Sequence, residues 1–292
     1  MSAPSPFSVT AHPYNSRVRG ACAYELGPTT AKNAILFIGG LFDGPHTVPY
    51  TRAVARFVEE ANDLDYSIFE IRMRSSFTGF GMSSLKKDVE DISALVKYLR
   101  AIGREKVVLF GHSTGCQDCM EYADYQKHGS SPVDGFIIQA PISDREALKK
   151  DFSNYDELLS ISEKMIADDQ EAEYVSAKLL PPGFNVPITA YRLHSLLAKG
   201  GDDDYFSSDF DEVTRKNIWA RFTKPVLVLH SEEDEYVPAH VNQDALRKLY
   251  HAASTLVSPL SGSIPDATHA VSNATGQEWL AKTVVKFLQS IE

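Results

Sequence analysis

The sequence lacks the features that mark a secreted or membrane protein. Its three cysteines, Cys22, Cys116 and Cys119, are too few for a disulfide framework, which favours a reducing compartment. The first residues do not form a basic segment followed by an apolar stretch, and no apolar run reaches the roughly 18 residues of a membrane span. We therefore expect a cytoplasmic protein that does not associate with a membrane.

Basic residues are also scarce. The chain has 29 Lys and Arg against 39 Asp and Glu, a formal net charge of −10. Affinity for nucleic acid comes mainly from clustered Lys and Arg, so nucleic acid is not an expected partner. The densest acidic stretch, from Asp202 to Glu212, is typical of solvated surface.

Short apolar runs alternate with helical periodicities over most of the 292 residues. Such runs suit strands buried on both faces of a parallel sheet, and helices between them predict a doubly wound α/β fold, mostly parallel. The clearest strand candidates are Ala34 to Ile38, Lys106 to Phe110, Phe136 to Ala140 and Val226 to Leu229; weaker ones are Ala21 to Leu26, Ser67 to Ile71 and Ser254 to Val257. Helical stripes begin at Val54, Leu85 and Leu280.

The alternation stops between about residues 143 and 217. Asp156 to Leu179 looks helical, and Pro181-Pro182-Gly183 begins an irregular stretch. An insertion at this point emerges at the sheet edge where α/β proteins bind ligands. We expect one domain over residues 1–292, with a helical cap at about 143–217.

The motif Gly111-x-Ser113-x-Gly115 directly follows the apolar run that ends at Phe110, and a helix is expected from about Cys116. A serine on a sharp turn between strand and helix adopts strained backbone angles, and flanking glycines relieve the crowding. The motif alone occurs often by chance, so the assignment of Ser113 as a nucleophile depends on the surrounding strand and helix.

Two other patterns suggest different chemistry. The glycine-rich segment from Gly39 to Gly44 follows an early strand, as phosphate-binding loops do. It matches neither of the nucleotide-binding patterns G-x-G-x-x-G and G-x-x-x-x-G-K-[ST], and Asp43 would repel a pyrophosphate. Cys116-Gln117-Asp118-Cys119 is a C-x-x-C, but zinc would need a second pair of ligands. Packing residues are the better interpretation of these cysteines.

The segment around Ser113 resembles the nucleophile elbow of α/β hydrolases. The resemblance implies an acid and then a histidine further along the chain, each in a loop after a strand. Asp234 fits the acid position of the family pattern G-x-x-D-x-x-V-P, although Ser231 stands where glycine is usual and Glu232, Glu233 and Glu235 are competitors. His269, in the loop before the last helix, fits the base.

Other histidines are weaker candidates for the base. His112 adjoins the nucleophile, and its side chain is expected to point away from the Ser113 hydroxyl. His230 ends a strand and is expected to be structural, while His194 lies in the cap.

The same resemblance implies an oxyanion hole. One donor is the Thr114 backbone N–H, and the other comes from the segment after the early strand, where Leu41 is preferred and Gly40 is the alternative. Here Gly39 replaces the histidine of the family's pattern. Ser113, His269 and Asp234 would then act as nucleophile, base and orienting acid through an acyl-enzyme, with no metal and no cofactor.

Three segments narrow the resemblance to the largely fungal DUF1749 family of α/β hydrolases. They are Ile38 to Gly44, Arg74 to Gly81 and Gly111 to Asp118. The family includes intracellular siderophore esterases that cleave fusarinine-type iron carriers. The resemblance implies a small-molecule ester substrate, with a hydroxamate siderophore, iron-loaded or iron-free, as one candidate. Another ester, lactone or thioester, a non-hydrolytic enzyme and a binding protein remain alternatives.

Substrate contacts are the least determined part of the prediction. Arg74, Ser75 and Phe80 follow a strand on the active-site edge, and His194 lies in the cap, so these four are candidates. Arg74 would equally suit an ion pair with a carboxylate. Fusarinine-type molecules carry free amines, so the acidic segment Asp202 to Glu212 is a candidate for attracting a cationic substrate.

Overall fold

A computed structural model describes residues 6–182, 184 and 186–292. Within those residues the chain builds an eight-stranded sheet in the order β1-β2-β4-β3-β5-β6-β7-β8. β1 and β2 pair antiparallel, and all pairings from β3 and β4 to β8 are parallel. The strands are Thr10–Pro13, Cys22–Leu26, Asn33–Ile38, Tyr66–Ile71, Val107–His112, Gly135–Gln139, Val226–Ser231 and Gly262–Ile264.

The central strands are fully buried, which explains why their sequences are continuous apolar runs. Alternate residues of β5 face opposite layers: Val107 and Leu109 belong to one apolar core, and Val108 and Phe110 to the other. The helices are α1 Tyr50–Glu60, α2 Leu85–Ala101, α3 Gly115–Tyr122, α4 Tyr125–His128, α5 Asp144–Asp151, α6 Tyr155–Ala167, α7 Ala190–Leu197, α8 Glu212–Trp219, α9 Gln243–Ala253 and α10 Ala274–Ser290. A 3₁₀ helix spans Phe77–Met82. None of these helices is long and apolar enough to cross a membrane.

One strand prediction was wrong. The run Ser254 to Val257 makes only an isolated bridge, in which Val257 faces Val226 at the start of β7. The chain then turns between Ser258 and Ser261, a turn that includes Pro259, which has no N–H to continue a ladder. The last strand is instead Gly262–Ile264, which pairs with the other end of β7.

The helix predicted for Asp156 to Leu179 is shorter than expected. It ends at Ala167 because Asp169 adopts a left-handed conformation (φ 58°) and two N–H groups fold back, from Gln170 to Met165 O and from Asp169 to Ile166 O. These bonds satisfy carbonyls at the end of the helix, and aspartate tolerates the left-handed region better than most residues.

The chain between β6 and β7, residues 140–225, is termed the β6–β7 segment and contains helices α5 to α8. Helix α7 contacts both α5 and α6, and residues of all three helices belong to or pack against an apolar cluster that includes Leu158, Leu193 and Phe184. Phe80 of the 3₁₀ helix and Leu41 pack against this cluster. In the irregular stretch, Pro181 and Pro182 are described, and Gly183 lies outside the described residues.

Candidate active site

Ser113 occupies the turn between β5 and α3, at the carboxyl edge of the sheet. Its φ of 54° lies in the left-handed region, which costs free energy for a residue with a side chain. A Cβ on Gly111 would collide with the Gly115 carbonyl, and one on Gly115 with the Ile38 carbonyl. The two glycines therefore permit the close approach of backbone that this turn requires.

Asp234 and His269 come together from the loops after β7 and β8. The Asp234 Oδ2 lies 2.7 Å from Nδ1 of His269, and both side chains are buried. The Tyr236 N–H donates to the other carboxylate oxygen over 3.0 Å, and the Tyr236 ring packs edge-on against the His269 ring. This arrangement fixes the ring orientation of His269 and gives its Nδ1 a carboxylate acceptor.

The competing glutamates are placed differently. Glu235 accepts the backbone N–H of His269 over 2.8 Å, and Glu232 accepts the backbone N–H of Asp266 over 3.1 Å. Glu233 is exposed. These contacts shape the loop around His269, while the carboxylate on the His269 ring is that of Asp234.

Ser113 and His269 line the same cavity, which has a volume of about 480 Å³. Leu41, Phe42, Asp43 and His112 also line it, as does Ala270 next to His269. The rest of its described lining comes mainly from the β6–β7 segment and the loop after β7: Ile142, Asp144, Ala147, Leu148, Asp151, Phe152, Pro181, Pro182, Phe184, Glu235 and Tyr236.

The backbone donors near Ser113 differ in their hydrogen bonds. The Gly40 N–H donates to Asp43 Oδ2 over 2.9 Å. Over the described part of the chain, no protein acceptor is found for the N–H of Leu41 or of Thr114. Leu41 lines the cavity together with Ser113, and Thr114 directly follows the serine in the chain.

His112 is a lining residue of the cavity, and its buried ring packs against the His269 ring, with the ring centroids 5.0 Å apart. Burial and the nearby His269 lower the pKa of His112 to about 4, so this ring is neutral at neutral pH. His230 is buried at the end of β7, as a structural residue would be, and burial lowers its pKa to about 3.

The structure brings none of the four predicted substrate contacts to the described lining of this cavity. The Arg74 guanidinium pairs with Glu90 and Asp91, each at 2.9 Å, which matches the alternative of an ion pair. Ser75 is buried beside Asp88, and Phe80 packs behind the lining residues Phe42 and Phe184. His194 lies on α7 and is not among the described lining residues of the cavity.

Several carboxylates of the acidic segment Asp202 to Glu212 pair with cationic side chains that lie outside the segment. Asp203 pairs with Arg192, Asp204 with Arg145 at 3.3 Å, and Asp209 with Lys199 at 2.9 Å. These carboxylates are not among the described lining residues of the cavity, so none of them is placed to contact a substrate there.

Sequence reasoning missed two polar residues of the site, Gln139 and Asp144. Gln139 ends the apolar run Phe136–Ile138 and is fully buried between β5 and β7. Asp144 begins α5 and lines the cavity, with its Oδ2 2.6 Å from the Gln117 amide. A polar residue at the carboxyl end of a buried parallel strand was the available signal for Gln139.

Both cysteines of the C-x-x-C are buried in the apolar core beside β5, as free thiols. Burial raises the pKa of Cys116 and Cys119 well above the ordinary range. Thiols of this kind are packing residues, as the sequence suggested.

A model of the family described as "protein of unknown function (DUF1749)" matches residues 1–289. The chain belongs to the DUF1749 family. A UPF0613 protein of Schizosaccharomyces pombe is 32% identical to it, over 93% of this chain and 92% of the relative. A protein of Aspergillus fumigatus named fusarinine C esterase is 27% identical, over 92% of each chain.

This DUF1749 chain is also similar to a solved structure titled siderophore hydrolase EstB from Aspergillus fumigatus. The TM-score is 0.82 and the identity 26%, over the whole of both chains. The predicted α/β-hydrolase fold, the resemblance to DUF1749 and the class of enzyme, an ester hydrolase, are thereby confirmed.

Proposed function

We propose that this DUF1749 protein is a serine carboxylester hydrolase in which Ser113 is the nucleophile, His269 the general base and Asp234 the orienting acid. The observation that carries the proposal is the pair of Asp234 and His269, 2.7 Å apart, facing the cavity that Ser113 lines. A serine hydroxyl is a weak nucleophile at neutral pH, so it needs a neighbouring base, and that base needs a fixed ring.

The reaction proceeds in two halves. Ser113 Oγ bonds to the ester carbon as His269 Nε2 takes the hydroxyl proton, and the proton then passes to the leaving alcohol as the C–O bond breaks. Water then bonds to the acyl carbon as His269 takes its proton, and that proton passes to Ser113 Oγ as the acyl–oxygen bond breaks, which releases the acid and regenerates the serine. The N–H groups of Leu41 and Thr114 stabilise the negative oxygen in both halves.

Asp234 stays ionised throughout. Its carboxylate holds Nδ1–H of His269, which leaves Nε2 to accept the proton from Ser113, and it stabilises the imidazolium that forms. These steps need no resident metal or cofactor.

We further propose that residues 1–292 form one domain in which part of the β6–β7 segment, about residues 143–217, is a cap over the site. The support is that residues of α5, together with Pro181, Pro182 and Phe184, line the same cavity as Ser113. A cap made of these residues would keep water away from the reacting ester. We propose a cytoplasmic location, which the three free cysteines support because a reducing compartment keeps thiols unpaired.

For the substrate, we propose an ester of the siderophore type, as in fusarinine C, iron-loaded or iron-free. Two relatives named for such substrates support this choice. The cavity lining supports it independently, since its ionisable carboxyls are Asp43, Asp144, Asp151 and Glu235 while the described lining contains no Lys or Arg. Such a cavity favours an ester that carries an ammonium group.

The serine mechanism is tested with a fluorophosphonate probe and a panel of esters, lactones, thioesters and siderophores. We expect the wild-type protein to be labelled and to hydrolyse at least one ester, and Ser113→Ala to lose the label and at least about a thousandfold of the rate. A folded wild type that never reacts with the probe would instead indicate a binding protein. Product analysis separates hydrolysis from acyl transfer or lyase chemistry, the non-hydrolytic alternatives.

A further inference from the structure

Gln139 lies between the strand of the proposed nucleophile and the strand of the proposed acid. It ends β6, pairs with His112 of β5 in register and with Leu229 of β7, and has no exposed surface. Its backbone oxygen accepts the Ser113 N–H over 3.0 Å. That bond belongs to the main chain and would survive any replacement of the side chain.

The side chain of Gln139 makes four further hydrogen bonds. Nε2 donates to the backbone oxygen of His269 over 3.2 Å and lies 3.1 Å from Ser231 Oγ. Oε1 accepts from the Tyr50 hydroxyl over 2.9 Å and lies 2.6 Å from Nδ1 of His112. One amide group therefore joins the loop of the proposed base to the residue before the proposed nucleophile.

These bonds fix a tautomer of His112. A carbonyl oxygen such as that of His269 only accepts hydrogen bonds, so the amide nitrogen of Gln139 must face it, and Oε1 must face His112. Because Oε1 is itself only an acceptor, Nδ1 of His112 carries the hydrogen. Its Nε2 then stays unprotonated in the neutral ring, 3.8 Å from Asp43 Oδ2.

The His112 ring in turn packs against His269, with centroids 5.0 Å apart and planes tilted by 50°. When His269 takes the Ser113 proton it becomes a cation, and a second charged ring at this distance would oppose that step. A neutral His112 supports the His269 ring without this repulsion.

We infer that Gln139 is a positioning residue of this site, which holds the His269 loop through its amide nitrogen and holds a neutral His112 against the His269 ring through its amide oxygen. The inference rests on the proposed roles of Ser113 and His269. It assigns Gln139 no contact with the substrate.

The kinetic test uses Gln139→Leu, with Asn33→Ala as the matched control. Asn33 is also a buried amide on a strand, and it bonds the Lys106 N–H at the opposite edge of the sheet. We expect Gln139→Leu to lower kcat, and the rate of fluorophosphonate labelling, about tenfold or more with KM changed by less than about threefold. Asn33→Ala should lower the melting temperature with kcat retained.

The spectroscopic test reads the ¹⁵N resonances of the histidine rings by NMR, with His112→Asn to assign His112. The titratable groups around this ring are Asp43, Asp234, His269 and Tyr50. We expect wild-type His112 to be the neutral Nδ1–H tautomer at pH 6. In Gln139→Glu, whose carboxylate favours a protonated ring, we expect the pKa of His112 to rise, and this variant also serves if Gln139→Leu does not fold.

Failure of the Gln139 role and failure of the proposed serine mechanism give different results. If the wild-type protein is never labelled by the probe, the roles of Ser113 and His269 fail. If it is labelled, an unchanged kcat in Gln139→Leu, or a loss of kcat shared by Asn33→Ala, overturns the positioning role. An Nε2–H tautomer at His112 would also overturn it, whatever the activity.

Discussion

At the scale of single residues, the environment of Ser113 is set by how closely backbone approaches it. Gly40 lies against the serine: a Cβ at this position would lie 2.5 Å from Ser113 Cβ and 3.0 Å from Oγ. The glycine therefore leaves the room in which Oγ and an incoming ester oxygen must fit. The Gly40 N–H also donates a hydrogen bond to the Asp43 carboxylate, which holds in place the loop that contains Leu41.

We predict that Gly40→Ala lowers kcat/KM for a reactive ester by at least about 100-fold, since the added methyl must displace the serine or the loop. Gly262→Ala is the control, because its Cβ would meet its nearest neighbour at 3.4 Å, an ordinary contact. Both variants are compared with the wild type in ester hydrolysis and in thermal unfolding. A Gly40→Ala variant with full activity would show that this loop is not beside the reacting groups.

At the scale of elements, α5 is the part of the β6–β7 segment that contributes carboxyl groups to the cavity. Residues Asp144, Ala147, Leu148 and Asp151 share one helical face and line the cavity. This face carries a carboxyl group at each end of a short apolar strip. Burial, with Asp203 nearby, raises the pKa of Asp144 to about 8, so an ammonium group bound beside it would favour its ionised form.

We predict that Asp144→Asn raises KM about tenfold for an ester that bears an ammonium group and by much less for its neutral isostere, because a charge-assisted hydrogen bond is lost. Asp151→Asn should act in the same direction more weakly, since Asp151 is exposed. Asp156→Asn removes an exposed carboxylate on the neighbouring α6 and is the matched control. Equal changes in KM for the charged and neutral esters would remove the proposed preference for a cation.

At the scale of the whole molecule, buried carboxyls join the sheet helices to the β6–β7 segment. Asp88 of α2, Asp118 of α3, Asp144 of α5 and Asp203 surround the buried guanidinium of Arg192 on α7. One cation cannot balance four ionised carboxylates at low dielectric. Burial, together with the neighbouring carboxyls, accordingly raises the pKa of Asp88 to about 7 and that of Asp118 well above its ordinary range.

The raised pKa of Asp88 makes the free energy of unfolding depend on pH. Between about pH 4 and pH 7 the folded protein holds a proton on Asp88 that the unfolded chain has released, so stability falls as pH rises through this range. We predict that Asp88→Asn makes the free energy of unfolding less dependent on pH there, by up to about 1.4 kcal/mol per pH unit. Urea unfolding at several pH values measures it, with the exposed Asp156→Asn expected to follow the wild type. A steeper fall in Asp88→Asn would contradict the raised pKa.

The sequence by itself determined the sheet core and the order of the proposed catalytic residues. Runs such as Val107 to Phe110 are apolar on both faces, and burial on both faces of a parallel sheet demands that composition locally. The turn at Ser113 could be predicted because the backbone constraint and the glycines that satisfy it lie within five residues of sequence. Asp234 and His269 were identified through the resemblance to α/β hydrolases, which implies an acid and then a histidine in loops after parallel strands.

Only the tertiary structure decided the details that depend on distant contacts. The end of α6 at Ala167 and the true last strand depend on hydrogen bonds that propensity does not reveal. Arg74 and the acidic segment were candidates for substrate binding until their ion-pair partners were known. The same holds for Gln139, whose amide bonds residues far apart in the chain: polarity in a sequence is visible, but its partners are set by packing.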